Sequence, residues 1–312
     1  MHLPRPLVVA VSVPFYRVAL HHRVPPRWGR PLLTLSAAAM RMPAGTCVRH
    51  IRLGGRPAER VTVGASERPR AVLYLHGGGY TVGSPRLYRA LAAHLARSAE
   101  AVVHTLDYRL APEDPYPAAL EDAAAAFRDL VQQGFAPERI AIVGDSAGGG
   151  LAVAAARLVT DEGLRPAALG LVSPWTDPSD EDMARRRDRV TNVAWGRRSA
   201  TSYRGTAEHT DPGYAPMYAD LAGLPPMLIH CGATEMLQPQ IAKFAARARA
   251  AGVHVQLDEH PRLWHSVHVL AGMLREATDA VDELGAFLHA ILIREVPQAA
   301  GGVSGHQLSA TS

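Results

Sequence analysis

The chain has 312 residues, 47% of them hydrophobic and 20% charged, with a formal net charge of +4. That length could hold one large α/β domain or two small ones with a sizeable core, and the composition is too ordinary for a disordered, fibrous or disulfide-stapled chain. The charge is mild and its arginines are scattered; the nearest thing to a basic run, Arg185-Arg186-Arg187 with Arg189, is hemmed by Asp180, Glu181, Asp182 and Asp188 and reads as a solvated helix face, so no nucleic-acid partner is expected.

From the N-terminus, residues 7–13 form an apolar run that Pro14 breaks, too short to span a bilayer. Only Arg5 precedes it as a charge, and no small-x-small cleavage site follows. It therefore reads as a segment packed on the body, with at most a weak membrane-surface contact, and not as a signal for secretion. The two distant cysteines, Cys47 and Cys231, make neither a disulfide framework nor a metal-ligand pair, which fits a reducing cytoplasm.

From residue 49 strands alternate with helices. Strands are expected at 50–53, 60–63, 71–75, 101–106, 139–143, 168–172, 227–230 and 253–259, and helices at 86–97, 118–133, 147–162, 240–251 and 267–290. The first two strands are joined by Gly54-Gly55 and should pair antiparallel; the others need crossover helices, giving a mostly parallel eight-stranded sheet flanked by helices. Two stretches break the rhythm: 1–45, ahead of the sheet, and 175–215, between the sixth and seventh strands and without clean periodicity. An insertion after a strand's C-terminal end lies over the edge where open α/β sheets bind ligands. The two are expected to form a helical cap over a core of residues 46–174 and 216–295, all in one domain, with 298–312 as a frayed tail.

Chemistry concentrates at three places. Gly144-Asp145-Ser146-Ala147-Gly148 fits the G-x-S-x-G nucleophile elbow, a strand-to-helix turn that exposes a serine hydroxyl, and it lies between a β-branched run and an Ala/Leu/Val-rich one. The flanking glycines are needed because a side chain there would collide with the neighbouring strand and helix. His76-Gly77-Gly78-Gly79-Tyr80 follows the strand at 71–75, and three consecutive glycines let backbone N–H groups turn toward a developing oxyanion. A serine also needs a base. His265, just past the last strand, is best placed, with His260 and His268 as rivals. The acid is expected after the seventh strand, where Glu235 is the loop's carboxylate; Asp258 and Glu259 are lesser candidates.

With these motifs named, the chain resembles the hormone-sensitive lipase family of α/β-hydrolases, in its bacterial esterase branch. His76–Tyr80 is similar to that family's HGGG motif, Asp107-Tyr108-Arg109-Leu110-Ala111-Pro112-Glu113 to its DYRLAPE stretch, and Gly144–Gly149 to its GDSAGG elbow; Leu224-Pro225-Pro226 and Trp264-His265 also fit. The resemblance covers about residues 70–290. It implies an α/β-hydrolase fold, Ser146 as nucleophile, His265 as base, and an oxyanion hole from the backbone of Gly78, Gly79 and Ala147. Asp107–Glu113 would be scaffold, with Arg109 paired to a carboxylate. Tyr80, Asp145 and Trp175 are expected to line the substrate pocket.

One position departs from the family pattern. Where members often carry the acid as G-x-D-E or G-x-D-P, Thr234 holds the Asp slot and Glu235 follows. Either Glu235 takes the role with a one-residue shift, or the triad is weakened. The expected function is a serine carboxylesterase acting on small to medium acyl esters through an acyl-enzyme, with no cofactor and no metal. A homodimer is compatible with the sequence. Acyl transfer, amide or lactone hydrolysis by the same triad, and a catalytically silent ligand-binding relative, stay open.

Overall fold

A computed structural model describes residues 2–65, 67–180 and 188–294. The eight strands are β1 (Thr46–Leu53), β2 (Arg56–Val63), β3 (Ala71–Leu75), β4 (Val102–Leu106), β5 (Ile140–Asp145), β6 (Leu169–Val172), β7 (Met227–Gly232) and β8 (Val255–His260). They form one sheet in the order β1-β2-β4-β3-β5-β6-β7-β8. β2 pairs antiparallel with β1 and with β4, and every other pairing is parallel.

The helices are α1 (Arg5–Ala19), α2 (Pro26–Ser36), α3 (Pro85–Ser98), α4 (Ala118–Gln132), α5 (Ala147–Asp161), α6 (Val193–Arg204), α7 (Gln238–Ala250) and α8 (Arg275–Leu292). Alternation along the central strands explains the layering. In β3, Leu73 and Leu75 join the apolar cluster under α4, α5 and α7, while Val72 and Tyr74 join the cluster under α1, α2, α3 and α8. Both faces of β3, β4 and β5 are buried, which is why these strands read as unbroken apolar runs instead of alternating ones.

Three segments differ from expectation. α1 runs straight through Pro14, because burial of Val8, Val13, Tyr16 and Ala19 against the body outweighs the hydrogen bond the proline removes. The predicted helix at 267–290 is split into a 3₁₀ turn, Val267–Leu270, and α8. Gly272, at φ 83°, passes so close to the Arg41 carbonyl that a Cβ there would overlap it, and the chain must turn before α8 begins. Within 175–215, expected as part of a helical cap but with no helix placed in it, α6 forms: the Asn192 side chain caps it by accepting from Trp195 N–H at 2.9 Å, and Gly205 ends it in a left-handed conformation. Arg185–Arg187 and the 298–312 tail lie outside the described residues.

α1 and α2 are tied to the α6 segment. Arg17 donates to the Arg189 carbonyl at 2.7 Å, and Arg198 to the carbonyls of His22 and Val24.

Candidate active site

Ser146 stands between β5 and α5 with φ 52°, a conformation that costs a non-glycine residue roughly 1–3 kcal/mol. The turn closes only because its neighbours lack side chains. A Cβ on Gly144 would lie 2.1 Å from the Gly148 carbonyl oxygen, and one on Gly148 would lie 2.0 Å from the Leu75 carbonyl oxygen. The sequence argument about the flanking glycines therefore holds, with α5 and the end of β3 as the obstacles.

His265 follows β8, and its Nε2 sits 2.9 Å from Ser146 Oγ. Behind the ring, Nδ1 is 3.5 Å from Glu235 Oε1, an ion-pair distance longer than a normal hydrogen bond. Glu235 is fixed from its other side, where Oε2 accepts from Ser173 Oγ at 2.7 Å and from the Gly232 N–H at 2.9 Å. Thr234 is exposed, whereas Glu235 is buried. Burial alone would push the His265 pKa down. Glu235, with Asp188 and Asp145 behind it, outweighs burial and holds the ring above its ordinary value.

The rival residues are accounted for elsewhere. His268 Nε2 is 3.1 Å from His230 Nδ1, and His260 packs edge-on against His230. Asp258 faces His230 at 3.9 Å, and Glu259 accepts from Gln238.

The glycine loop after β3 is held by its surroundings. Asp145, fully buried, accepts from Gly77 N–H at 2.7 Å, and from the hydroxyls of Tyr74 and Tyr88 at 3.0 Å each. His76 Nδ1 donates to the Gly77 carbonyl at 2.9 Å, and burial lowers that ring to about 4, so it is neutral. Tyr108 donates to the His76 carbonyl at 2.6 Å, and Ala111 N–H to the Tyr80 carbonyl at 2.8 Å. Asp107–Glu113 is thus a buttress of the loop. Its Arg109 pairs with Asp122 at 2.8 Å and with Glu121 at 3.0 Å, as expected. The N–H groups of Gly78 and Gly79 donate to no backbone carbonyl among the described residues, and Ala147 opens α5, where an N–H has no partner within the helix.

Two adjoining hollows meet at Ser146 and His265. The larger, about 590 Å³ with its open mouth, is walled by Tyr16, Leu20, Leu33, Trp195, Val269 and Leu270. The smaller, about 260 Å³, lies between Trp175, Trp195, Met236 and Leu237. Trp175 lines the smaller hollow and Asp145 touches the larger one, but the Asp145 carboxylate is spent on the glycine loop. Tyr80 lines neither: it is 1% exposed and stacked on Tyr203 with ring centroids 3.5 Å apart. Its φ of 59° swings the ring into the core, away from the site. Sequence reasoning missed Ser173, which secures Glu235, and the walls supplied by Tyr16, Leu33 and Trp195. A serine at the C-terminal end of the sixth strand was the available signal for Ser173; nothing in the sequence pointed to the wall residues.

An eight-stranded α/β sheet with a serine on a strand-to-helix elbow, an imidazole on its hydroxyl and a buried carboxylate behind the ring defines the α/β hydrolase class. The chain belongs to the α/β hydrolase fold family, whose model matches residues 72–269. It is 40% identical over 250 residues to an acetyl-hydrolase of Streptomyces hygroscopicus, covering 76% of this chain and 84% of that one. It is 32% identical over 267 residues to esterase LipU of Mycobacterium tuberculosis, covering 81% and 90%. A crystal structure of an esterase from the bacterial hormone-sensitive lipase family superposes with a TM-score of 0.86 at 34% identity, covering 93% of this chain and all of that one. The protein is a carboxylic ester hydrolase of that family, and its substrates are small-molecule esters.

Proposed function

We propose that Ser146, His265 and Glu235 are the catalytic triad of this esterase. The 2.9 Å contact between His265 Nε2 and Ser146 Oγ, on a strained elbow, carries the reading. Ser146 Oγ attacks the ester carbonyl carbon while His265 Nε2 takes the hydroxyl proton. The N–H groups of Gly78, Gly79 and Ala147 stabilise the oxyanion. The tetrahedral species collapses to an acyl-enzyme, and His265 passes its proton to the leaving alcohol. Water then attacks the acyl carbon with His265 again as base, and the acid leaves as Ser146 recovers its proton.

An ester with its carbonyl at Ser146 divides its acyl and alcohol parts between the two hollows, which limits both to small or medium size. α1, α2 and the described part of 175–215, with α6, act as the cap over them. Hydrolysis of p-nitrophenyl acetate, butyrate and decanoate tests both points. Activity should favour the short chains and fall by about 10⁴-fold or more in Ser146→Ala. Unchanged activity in that variant would refute the nucleophile, and a preference for decanoate would refute the size limit.

A second reading concerns where the enzyme works. The free Cys47 and Cys231 fit a reducing, cytoplasmic setting, and no described helix is long and apolar enough to cross a membrane. Yet Leu7, Val11 and Val18 on α1 and Trp28 and Leu35 on α2 are exposed, and no acidic residue precedes Glu59. An apolar face on an arginine-bearing segment suits weak docking on an anionic lipid surface. Co-sedimentation with phosphatidylglycerol vesicles, lost in Val11→Asp and absent with phosphatidylcholine alone, is expected. A salt-insensitive dimer through this face in sedimentation velocity, with no vesicle binding, would overturn it.

A further inference from the structure

A second cluster of chemistry-bearing side chains lies beyond the triad, where β7, β8 and α8 meet. A ring nitrogen of His230, one of His260 and a Glu283 carboxylate oxygen lie within 4.8 Å of one another. His230 is completely buried, and neither its Nε2 nor that of His260 has a hydrogen-bond partner among the described residues. Each stands instead near a carboxylate at a distance too long for a hydrogen bond: Asp258 Oδ2 at 3.9 Å from His230, and Glu283 Oε2 at 4.0 Å from His260. Two buried imidazole nitrogens that converge on carboxylates without bonding to them leave room between the groups for something that bonds to all of them.

We propose that His230, His260 and Glu283 bind one divalent transition-metal ion of the zinc class, with Asp258 or water completing the shell. Imidazole nitrogen with carboxylate oxygen is a zinc-type donor set; calcium and magnesium would take oxygen alone. Ligand bonds of about 2.0–2.2 Å require the donors to close in by on the order of an ångström. Glu283 can supply most of that, because its side chain is 58% exposed and free to reorient.

The outer shell is already built. His230 Nδ1 is 3.1 Å from His268 Nε2, and with Nδ1–H as donor the lone pair of Nε2 is left pointing at the ion. An entry path exists as well. A groove of about 550 Å³, open to solvent and bordered by His260, Arg262, Glu276, Asp279 and Glu283, leads to the cluster.

The position gives the ion a second consequence. His260 opens and His268 closes the stretch that carries His265, and His230 touches both. A metal there would tie both ends of the loop to β7 and α8. It sits outside the hydrolytic centre, so it is a structural ion that positions His265 and takes no part in the reaction.

The test uses the full-length enzyme stripped with EDTA and dialysed against Zn²⁺, with metal content and the thermal midpoint as readouts. One zinc per chain and a raised midpoint are expected. Co²⁺ should show the visible bands of nitrogen-oxygen coordination. His260→Ala and Glu283→Gln should each weaken uptake tenfold or more. Glu283→Gln changes a solvent-facing side chain, so it keeps the test valid if His260→Ala misfolds by circular dichroism. Ser146→Ala and His265→Ala should bind zinc as the parent does. Three results would each overturn the assignment: no stoichiometric uptake, uptake unaltered in Glu283→Gln, or uptake lost in His265→Ala.

Discussion

Replacing Glu235 by Gln tests the proposed triad at its acid. The structure dictates how the amide must sit. Oε2 accepts from both Ser173 Oγ and the Gly232 N–H, so the glutamine carbonyl oxygen must take that place, and its NH₂ group is turned toward His265 Nδ1. A donor facing Nδ1 forces the ring proton onto Nε2, the atom that must accept from Ser146. The carboxylate also stabilises the imidazolium that forms in the transition state. Two unit charges 3.5 Å apart at an effective dielectric near 20 attract by roughly 5 kcal/mol. Both effects point to a fall in kcat/KM of about 10³–10⁴-fold, with little loss of stability because Ser173 and Gly232 keep their acceptor. The pH profile separates this from a general loss of fold. His265 is held above its ordinary pKa against the pull of burial, and the base must be neutral to work, so parent activity falls as pH drops through that raised value. Without the carboxylate, burial dominates and the acid limb should move to lower pH. Steady-state kinetics on p-nitrophenyl butyrate across pH 5–9 read both quantities. A Glu235→Gln enzyme within tenfold of the parent, or an acid limb that does not move, would refute the assignment.

Further outcomes follow from the same geometry. Thr234→Asp added to Glu235→Gln should restore nothing, because position 234 faces solvent; recovery would mean the loop can place either residue behind His265. Gly148→Ala should cost about 10²-fold or more in kcat/KM, or prevent soluble expression, since its Cβ would lie 2.0 Å from the Leu75 carbonyl and displace the elbow. Asp145→Ala leaves the Gly77 N–H and two buried tyrosine hydroxyls without their acceptor, and a stability loss of about 2–5 kcal/mol by urea unfolding is expected. Buried His76 and His104, lowered by burial to about 4 and about 3, stay neutral in the fold but take up protons when unfolded. Stability should therefore fall as pH drops below about 6.5, by roughly 2 kcal/mol for each ring by pH 5, and equal urea midpoints at pH 7.5 and 5 would contradict this.

What could be read in advance divides along physical lines. β3 and β5 were legible because both their faces are buried, which produces runs such as Ala71-Val72-Leu73-Tyr74-Leu75 that need no partner to be recognised. The elbow was legible because backbone clearance at Gly144 and Gly148 is a local constraint that admits one residue type. α1 was misjudged at Pro14 because the contacts that carry the helix past the proline come from the body of the protein, and Tyr80 was misjudged because its partner in the stack, Tyr203, is over a hundred residues away. The sequence favoured Glu235 over Asp258 and Glu259 as the acid, but the proposed role rests on Ser173, sixty-two residues upstream, which sequence spacing does not reveal. That asymmetry bears on the proposed acid itself. A glutamate works there only if something holds its long side chain still, and Ser173, itself at φ 47° at the end of β6, supplies the hold. Ser173→Ala should accordingly lower kcat far more than it raises KM, since it loosens Glu235 without touching the substrate hollows; an effect confined to KM would separate Ser173 from the triad.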